Sequence, residues 1–308
     1  MFVRRVLKQF GPPATILTTG LYFSTYTTAS TKSSTNFISP PLETPCRAIQ
    51  GEYDVAIVGG GIVGLAVARE ILLRFPDKTV TVLEKESEVA AHQTGHNSGV
   101  IHAGMYYAEG STMARCCVRG ASMIYQYAER HDLPAERCGK LICAPTEADA
   151  PVLKTLLERG RNNGVKDLEI VNAEWISKIE PNVKVHSALY SPNTGVADYG
   201  AFARHYAKEI EETGRGRIQL QFEVNSIKLN QDNNDDADVV EIKGCEPKQA
   251  GPIKVVRAKN VITCAGLQAD HVAKLANGAE KPQVLTFRGT YYQMKPGKRL
   301  IFQLFFCC

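Results

Sequence analysis

The chain has 308 residues, an ordinary globular composition and a formal charge of +4, enough for one large core or two moderate ones. The excess charge lies in residues 1–42, where Arg4, Arg5, Lys8 and Lys32 stand without any acidic residue. Elsewhere basic and acidic residues balance at 32 each, so no basic face points to a nucleic-acid partner.

The first segment is also rich in Ser and Thr. Basic, hydroxylated and acid-free describes a mitochondrial transit peptide, and its apolar stretches are too short and interrupted for a membrane span. Pro40, Pro41 and Pro45 mark a linker. Residues 1–51 are therefore expected to precede a fold that starts near Glu52, in a protein located in mitochondria.

Tyr53–Val58 reads as a strand that runs into Gly59-Gly60-Gly61-Ile62-Val63-Gly64 and a helix ending near Arg74. A second strand, Val80–Leu83, ends on Glu84. Gly59 suits a tight turn, Gly61 a close backbone approach to a pyrophosphate, and Gly64 close packing of helix on strand. The helix N-terminus would face the phosphates. Glu84, 20 residues beyond Gly64, stands where a carboxylate accepts ribose hydroxyls and repels a 2′-phosphate. The pattern predicts dinucleotide binding, against an ordinary βα turn. The helix Ile62–Arg74 is apolar nearly all round, as expected for burial against a parallel sheet.

A long loop, His92 to Gly104, follows. Thr94 and Ser98 are candidate donors to phosphate oxygens, and Gly95 and Gly99 permit close backbone approach. His102, between Ile101 and Ala103, reads either as a core histidine or as a neutral imidazole that accepts the proton of a substrate hydroxyl. His96 is a weaker rival. Thr112–His131 reads as a helix with Met113, Cys117, Ala121, Ile124 and Ala128 on one face. Lys140–Ala144 is a short strand, and Ala148–Asn162 a helix closed by Gly164. Asp198 caps a helix with the stripe Phe202, Tyr206 and Ile210. Strands are expected at Ile218–Leu229, Val239–Lys243, Val255–Val256 and Val261–Thr263, with a solvated polar turn over Asp232–Asp238. The nine cysteines show no metal spacing, so no metal is expected and free thiols are.

This order predicts an α/β fold: a Rossmann-like nucleotide-binding domain split in sequence, with an inserted α+β substrate domain. The parts are 52–145 and 216–278 for nucleotide, 146–215 for the insertion, and 279–308 for the start of a further strand and an apolar tail.

Taken together, the glycine turn with Glu84-Lys85, the run Gly95-His-Asn-Ser-Gly-Val-Ile-His-Ala-Gly-Met-Tyr-Tyr107 and the later strand Asn260-Val-Ile-Thr-Cys-Ala-Gly266 resemble the FAD-dependent oxidoreductases of the D-amino-acid oxidase type. The resemblance runs from about Tyr53 to Gly297. It implies FAD rather than NAD, held by Gly59, Gly61, Gly64, Glu84, Lys85, Thr94, Ser98, Gly99, Val224, Ala265 and Gly266. Within the group it is similar to the branch that oxidises L-2-hydroxyglutarate, a 2-hydroxy dicarboxylate, to 2-oxoglutarate by hydride transfer to the flavin. His102, Arg288 and Tyr291 are the catalytic candidates. Arg288 would pair with a substrate carboxylate or contact the flavin. In relatives that oxidise N-methyl amines, a histidine near the position of His102 bonds covalently to flavin, which gives His102 a second candidate role. Related oxidases of glycerol 3-phosphate or amino acids, a nicotinamide dehydrogenase, and a non-catalytic nucleotide-binding fragment are the alternatives.

After Lys295-Pro-Gly297 the resemblance stops, and Lys298–Cys308 is apolar without a turn or cap. The expectation is a C-terminally shortened family member, with the last strands missing and flavin binding and turnover weakened or lost. The last nine residues are too few to span a bilayer, which leaves peripheral association as the expected limit of membrane contact. No quinone motif identifies the electron acceptor.

Overall fold

The computed structural model describes residues 49–230, 239–247, 252–278, 283–289 and 305–307. The basic N-terminal segment, the polar turn at 232–238 and Tyr291 lie outside the described residues.

The described residues form two compact units, one holding those within 49–98 and 198–287, the other those within 99–197 with 288–289 and 305–307. The first unit is built on a six-stranded sheet in the order β10-β11-β12-β1-β2-β9. Its centre, β1 (Ile49–Val58), pairs in parallel with β2 (Val80–Leu83) on one side and β12 (Lys254–Thr263) on the other. The late strand thus returns to the first, as a split domain requires. β9 (Gly216–Gln219) extends the parallel part, while β10 (Glu223–Asn230) and β11 (Val239–Cys245) add an antiparallel meander to β12.

Alternation along β1 explains the two layers that cover it. Val55 and Ile57 face helices α1 (Ile62–Arg74) and, in chain order, α5 (Tyr199–Glu212), packing with Leu65, Ala68, Leu72, Ala203, Ala207 and Ile210. Ala56 and Val58 face the other way, onto Phe222, Ile227, Ile242, Val256 and Val272. Asp198 caps α5 by accepting the Ala201 N–H at 2.9 Å, and Phe202 and Ile210 are buried as the stripe requires.

The second unit holds the sheet β13-β5-β7-β6 and a small sheet β3-β8-β4. β5 (Lys140–Ala144) and β6 (Glu169–Asn172) flank β7 (Ser187–Ser191) antiparallel, and β13 (Phe305–Cys307) pairs with β5 in parallel. Both faces of β5 are covered. Ile142 and Ala144 pack with Leu153 and Leu156 of α3 (Ala150–Asn162), while Leu141 and Cys143 pack with Ile176 of α4 (Ala173–Ile179). β3 (Val100–Ile101) and β4 (Ala135–Glu136) flank β8 (Gly195–Ala197).

Several sequence expectations change. The units divide at 98/99 and 197/198, not at 145/146 and 215/216. Helix α2 (Thr112–His131) and β5 belong with the second unit, and α5 packs on the dinucleotide sheet, because its apolar stripe meets α1. The segment expected as one strand over Ile218–Leu229 is two, since β9 pairs with β2 and β10 with β11; the break holds Gln221 at φ +53°. The two pieces expected at 255–256 and 261–263 are one ten-residue strand. On α2 the expected face is covered at Ala128 and partly covered at Cys117, Ala121 and Ile124, but Met113 is 56% exposed and Ala114 is buried in its place. α1 is buried on one side, leaving Val63 and Leu73 exposed.

Candidate dinucleotide site and the His102 loop

A cavity of about 590 Å³ lies within the first unit, at the C-terminal ends of β1, β2 and β12. Open parallel sheets bind ligands at this end. Gly59, Gly61, Glu84, Lys85, Thr94, Val224, Ala265 and Gly266 all line it. Gly59 takes φ +113°, a conformation that disfavours a side chain, and its N–H donates to the Leu83 carbonyl at 2.9 Å. A Cβ on Gly64 would collide with the Gly59 carbonyl oxygen, so this glycine sets how closely α1 approaches the turn.

Glu84 is 7% exposed and held from several sides. One carboxylate oxygen accepts the Gly60 N–H at 2.7 Å, the other the Glu86 N–H at 2.9 Å. Its own N–H donates to the Gln219 carbonyl, and its carbonyl accepts from Phe222, each at 2.9 Å. A carboxylate offers about four lone-pair positions, so capacity remains for ligand hydroxyls.

The N-cap of α1 is Gly61, which has no side chain to accept a helix N–H. Thr94 supplies the missing acceptor from the following loop, taking the Ile62 N–H on Oγ1 at 3.0 Å. Its hydroxyl proton is then left to donate to an anion beside the helix N-terminus. A Cβ on Gly61 would approach Thr94 Oγ1 at 3.3 Å, so the bare backbone of Gly61 faces this space. These features fit an anionic dinucleotide: a glycine backbone, a helix N-terminus, a hydroxyl and a buried carboxylate converge on one cavity.

The rim carries a group that sequence reasoning missed. Glu86 accepts from or pairs with His92 at 2.7 Å and Lys85 at 3.2 Å, and these contacts, His92 first, hold its carboxyl below the usual carboxylate range. Lys85 is thus engaged with Glu86. His271 and Phe222 also line the cavity, and no local motif announces either. Ser98 is exposed and outside the lining; Gly99, at φ +70°, lies in the second unit, where its carbonyl accepts the Ala197 N–H at 2.8 Å.

His102 belongs to the second unit. The residue is exposed, yet partial burial pushes its pKa below the usual imidazole range, with the charge of Lys140 acting in the same direction. Both causes favour the neutral imidazole, the form that can accept a proton. The Cys117 thiol donates to its carbonyl at 3.0 Å. Asn163, at the C-terminus of α3, binds the loop after it: Nδ2 donates to the carbonyls of Gly104 and Tyr107 at 3.2 and 3.0 Å, and Oδ1 accepts the Gly110 N–H at 3.3 Å. His96 is exposed, its Nδ1 3.0 Å from the His92 carbonyl. Arg288 is exposed, and the described residues 283–289, within the segment expected to start a further strand, form none. Tyr291 lies outside the described residues.

The sequence profile of the family described as FAD dependent oxidoreductase matches residues 54–306, beyond the limit near Gly297 suggested by the motifs. Among curated relatives, the mitochondrial L-2-hydroxyglutarate dehydrogenase of Nematostella vectensis is 43% identical over 256 residues, covering 80% of this chain and 54% of its own. Those of Bos taurus and Homo sapiens are 40% and 39% identical over 260 and 252 residues, covering 83% and 82% of this chain and 55% and 54% of their own. The chain thus spans about half the length of the curated relatives it matches. Among solved structures, the dithionite-reduced L-alpha-glycerophosphate oxidase of Mycoplasma pneumoniae with FAD bound superimposes with a TM-score of 0.62 at 26% identity, covering 73% of this chain and 57% of that one. Glycine oxidase from Geobacillus kaustophilus gives 0.61 at 20% identity, covering 73% and 58%, a likeness of fold. With its split sheet, glycine cradle and buried Glu84 in place, the chain belongs to the FAD-dependent oxidoreductase family.

Proposed function

We propose that this chain carries the FAD-binding part of a mitochondrial dehydrogenase that oxidises L-2-hydroxyglutarate to 2-oxoglutarate. The observation that carries the substrate is the 38–43% identity to relatives bearing that enzyme's name. The cofactor reading is supported by the cavity and the family. Glu84 would accept the adenosine ribose hydroxyls, Lys85 would stand beside it, and Val224 would meet the adenine. Thr94 and the N-terminus of α1 would hold the pyrophosphate, with Gly59, Gly61 and Gly64 keeping the approach open and Ser98 and Gly99 in the following loop. Ala265 and Gly266 would back the ring system.

When bound, FAD supplies a two-electron acceptor for the hydride of the hydroxyl-bearing carbon. The chain's own part is proton handling and orientation. His102, held neutral, would take the hydroxyl proton on a ring nitrogen. Arg288 would clamp a carboxylate, with Tyr291 as its neighbour. Reoxidation requires an external electron acceptor, and the acid-free N-terminal segment supports a mitochondrial address.

The test is to purify the full chain, record its visible spectrum, identify any released chromophore by mass, and add L-2-hydroxyglutarate without oxygen. Bleaching of a bound flavin with formation of 2-oxoglutarate is expected. A flavin-loaded chain that stays oxidised with this substrate, but bleaches with glycerol 3-phosphate or an amino acid, overturns the substrate assignment. Release of a nicotinamide or another chromophore in place of FAD overturns the cofactor reading.

A further inference from the structure

Beyond the residues assigned above, the second unit contains a buried cation that the proposed reaction does not yet use. Lys140, the first residue of β5, is 3% exposed. Taking an ammonium out of water is costly unless other groups compensate. One of them is the ring of Tyr106, whose centroid lies 5.0 Å from Lys140 Nζ. Tyr106 in turn meets the His102 ring edge-on, with centroids 6.5 Å apart and planes at 78°. Ammonium, phenol ring and imidazole therefore form a contiguous row.

We propose that Lys140 is a positioning residue for His102, acting on the imidazole through the ring of Tyr106 and through its own charge. The Tyr106 ring fixes one edge of the imidazole. The ammonium disfavours a second positive charge nearby, so the imidazole is kept ready to accept a proton. Among the described residues, the Cys117 thiol and the Tyr107 phenol add no charge to the loop, since burial raises the pKa of both. Burial lowers the pKa of His102 first, and the charge of Lys140 acts in the same direction. The inference gains its catalytic meaning from the reading of His102 as proton acceptor, but its test needs neither flavin nor turnover.

The experiment is an NMR titration of the histidines in the full chain, with the His102 signal identified by its loss in His102→Gln. Lys140→Met removes the charge at similar volume, and the His102 midpoint is expected to shift upward. Lys140→Arg restores the charge and should return the midpoint toward that of the parent. A folded Lys140→Met chain with an unmoved midpoint overturns the proposal. Should Lys140→Met not fold, Tyr106→Leu decides. It removes the intervening ring, and a displaced His102 resonance supports the row, whereas an unchanged resonance overturns it. Because none of these signals depends on substrate, failure here leaves the dehydrogenase reading standing, and failure of that reading leaves this measurement intact.

Discussion

The dinucleotide cradle and the His102 loop are organised by different kinds of contact. In the cradle, backbone groups hold the functional side chain. Both Glu84 carboxylate oxygens accept N–H groups, from Gly60 and Glu86, and Thr94 accepts from Ile62. In the loop, distant side chains hold the backbone: Asn163 binds three main-chain groups, while His102 itself is set among Tyr106, Cys117 and Lys140. Substitutions in the cradle should therefore cost global stability and cofactor affinity together. Substitutions in the loop should loosen a local segment and leave the sheet alone.

Gly64→Val is the most severe way to test this contrast. The added Cβ meets backbone, the Gly59 carbonyl, which cannot rotate aside. Overpacking against a rigid neighbour costs about 3 kcal/mol or more. Chemical denaturation should show that loss, and any bound flavin should dissociate; a parent-like midpoint would show that helix and turn are less tightly locked than their contact suggests. Glu84→Ala comes next. It leaves the Gly60 and Glu86 N–H groups without their carboxylate, at about 2–3 kcal/mol, and Glu84→Gln should recover part of this by keeping one carbonyl acceptor. Equal stability of Glu84→Ala and the parent would mean that water replaces the carboxylate, and that Glu84 serves the ligand alone.

The same contrast explains what could be read from the sequence. The shape of the cradle is legible because Gly59, Gly61, Gly64 and Glu84 stand at fixed spacing within one βαβ unit, which brings the turn, the helix start and the carboxylate together. Thr94 was found as a hydroxyl in the right loop, but its capping of α1 was not, since that bond depends on how the loop folds back over Gly61. Asn163 and Lys140 lay hidden because their contacts with the His102 loop join segments dozens of residues apart, and neither residue carries a motif. The division of the compact units at 98/99 and 197/198 lay hidden for a related reason. The stripe on α5 shows that the helix is buried on one face, but not that α1 is what it meets. Met113 shows the limit of period alone, since it shares the pattern of Cys117, Ala121, Ile124 and Ala128 yet is exposed in the first turn of α2.

On the loop side, Asn163→Ala removes three hydrogen bonds to residues 104–110. A loss of about 1–2 kcal/mol is expected, confined to the loop. Hydrogen exchange should accelerate over 104–110 while β1 and β12 keep their protection. Uniform acceleration across both units would show that the loop and the sheet open together, and the proposed contrast would fail.

The smallest expected effect returns to the sheet and is a pH dependence. Asp54 ties β1 to β12 and to the residue just before β2: its Oδ2 accepts the Thr79 N–H at 3.0 Å and the Thr79 hydroxyl at 3.1 Å, and its Oδ1 accepts from Lys259 at 3.1 Å. These contacts, the Thr79 backbone N–H first and Lys259 second, lower its pKa from the ordinary aspartate value. A depressed folded-state pKa means that the unfolded chain binds the proton more readily. The stabilisation is therefore complete above the ordinary aspartate value and is lost as pH falls through the lowered one. Asp54→Asn should cost about 1 kcal/mol at neutral pH and flatten the acid limb of a stability–pH curve. The difference between parent and variant should shrink toward low pH. If instead it stays constant with pH, the loss reflects the geometry of the amide substitution, and the charge of Asp54 contributes nothing to the joint between β1, β2 and β12.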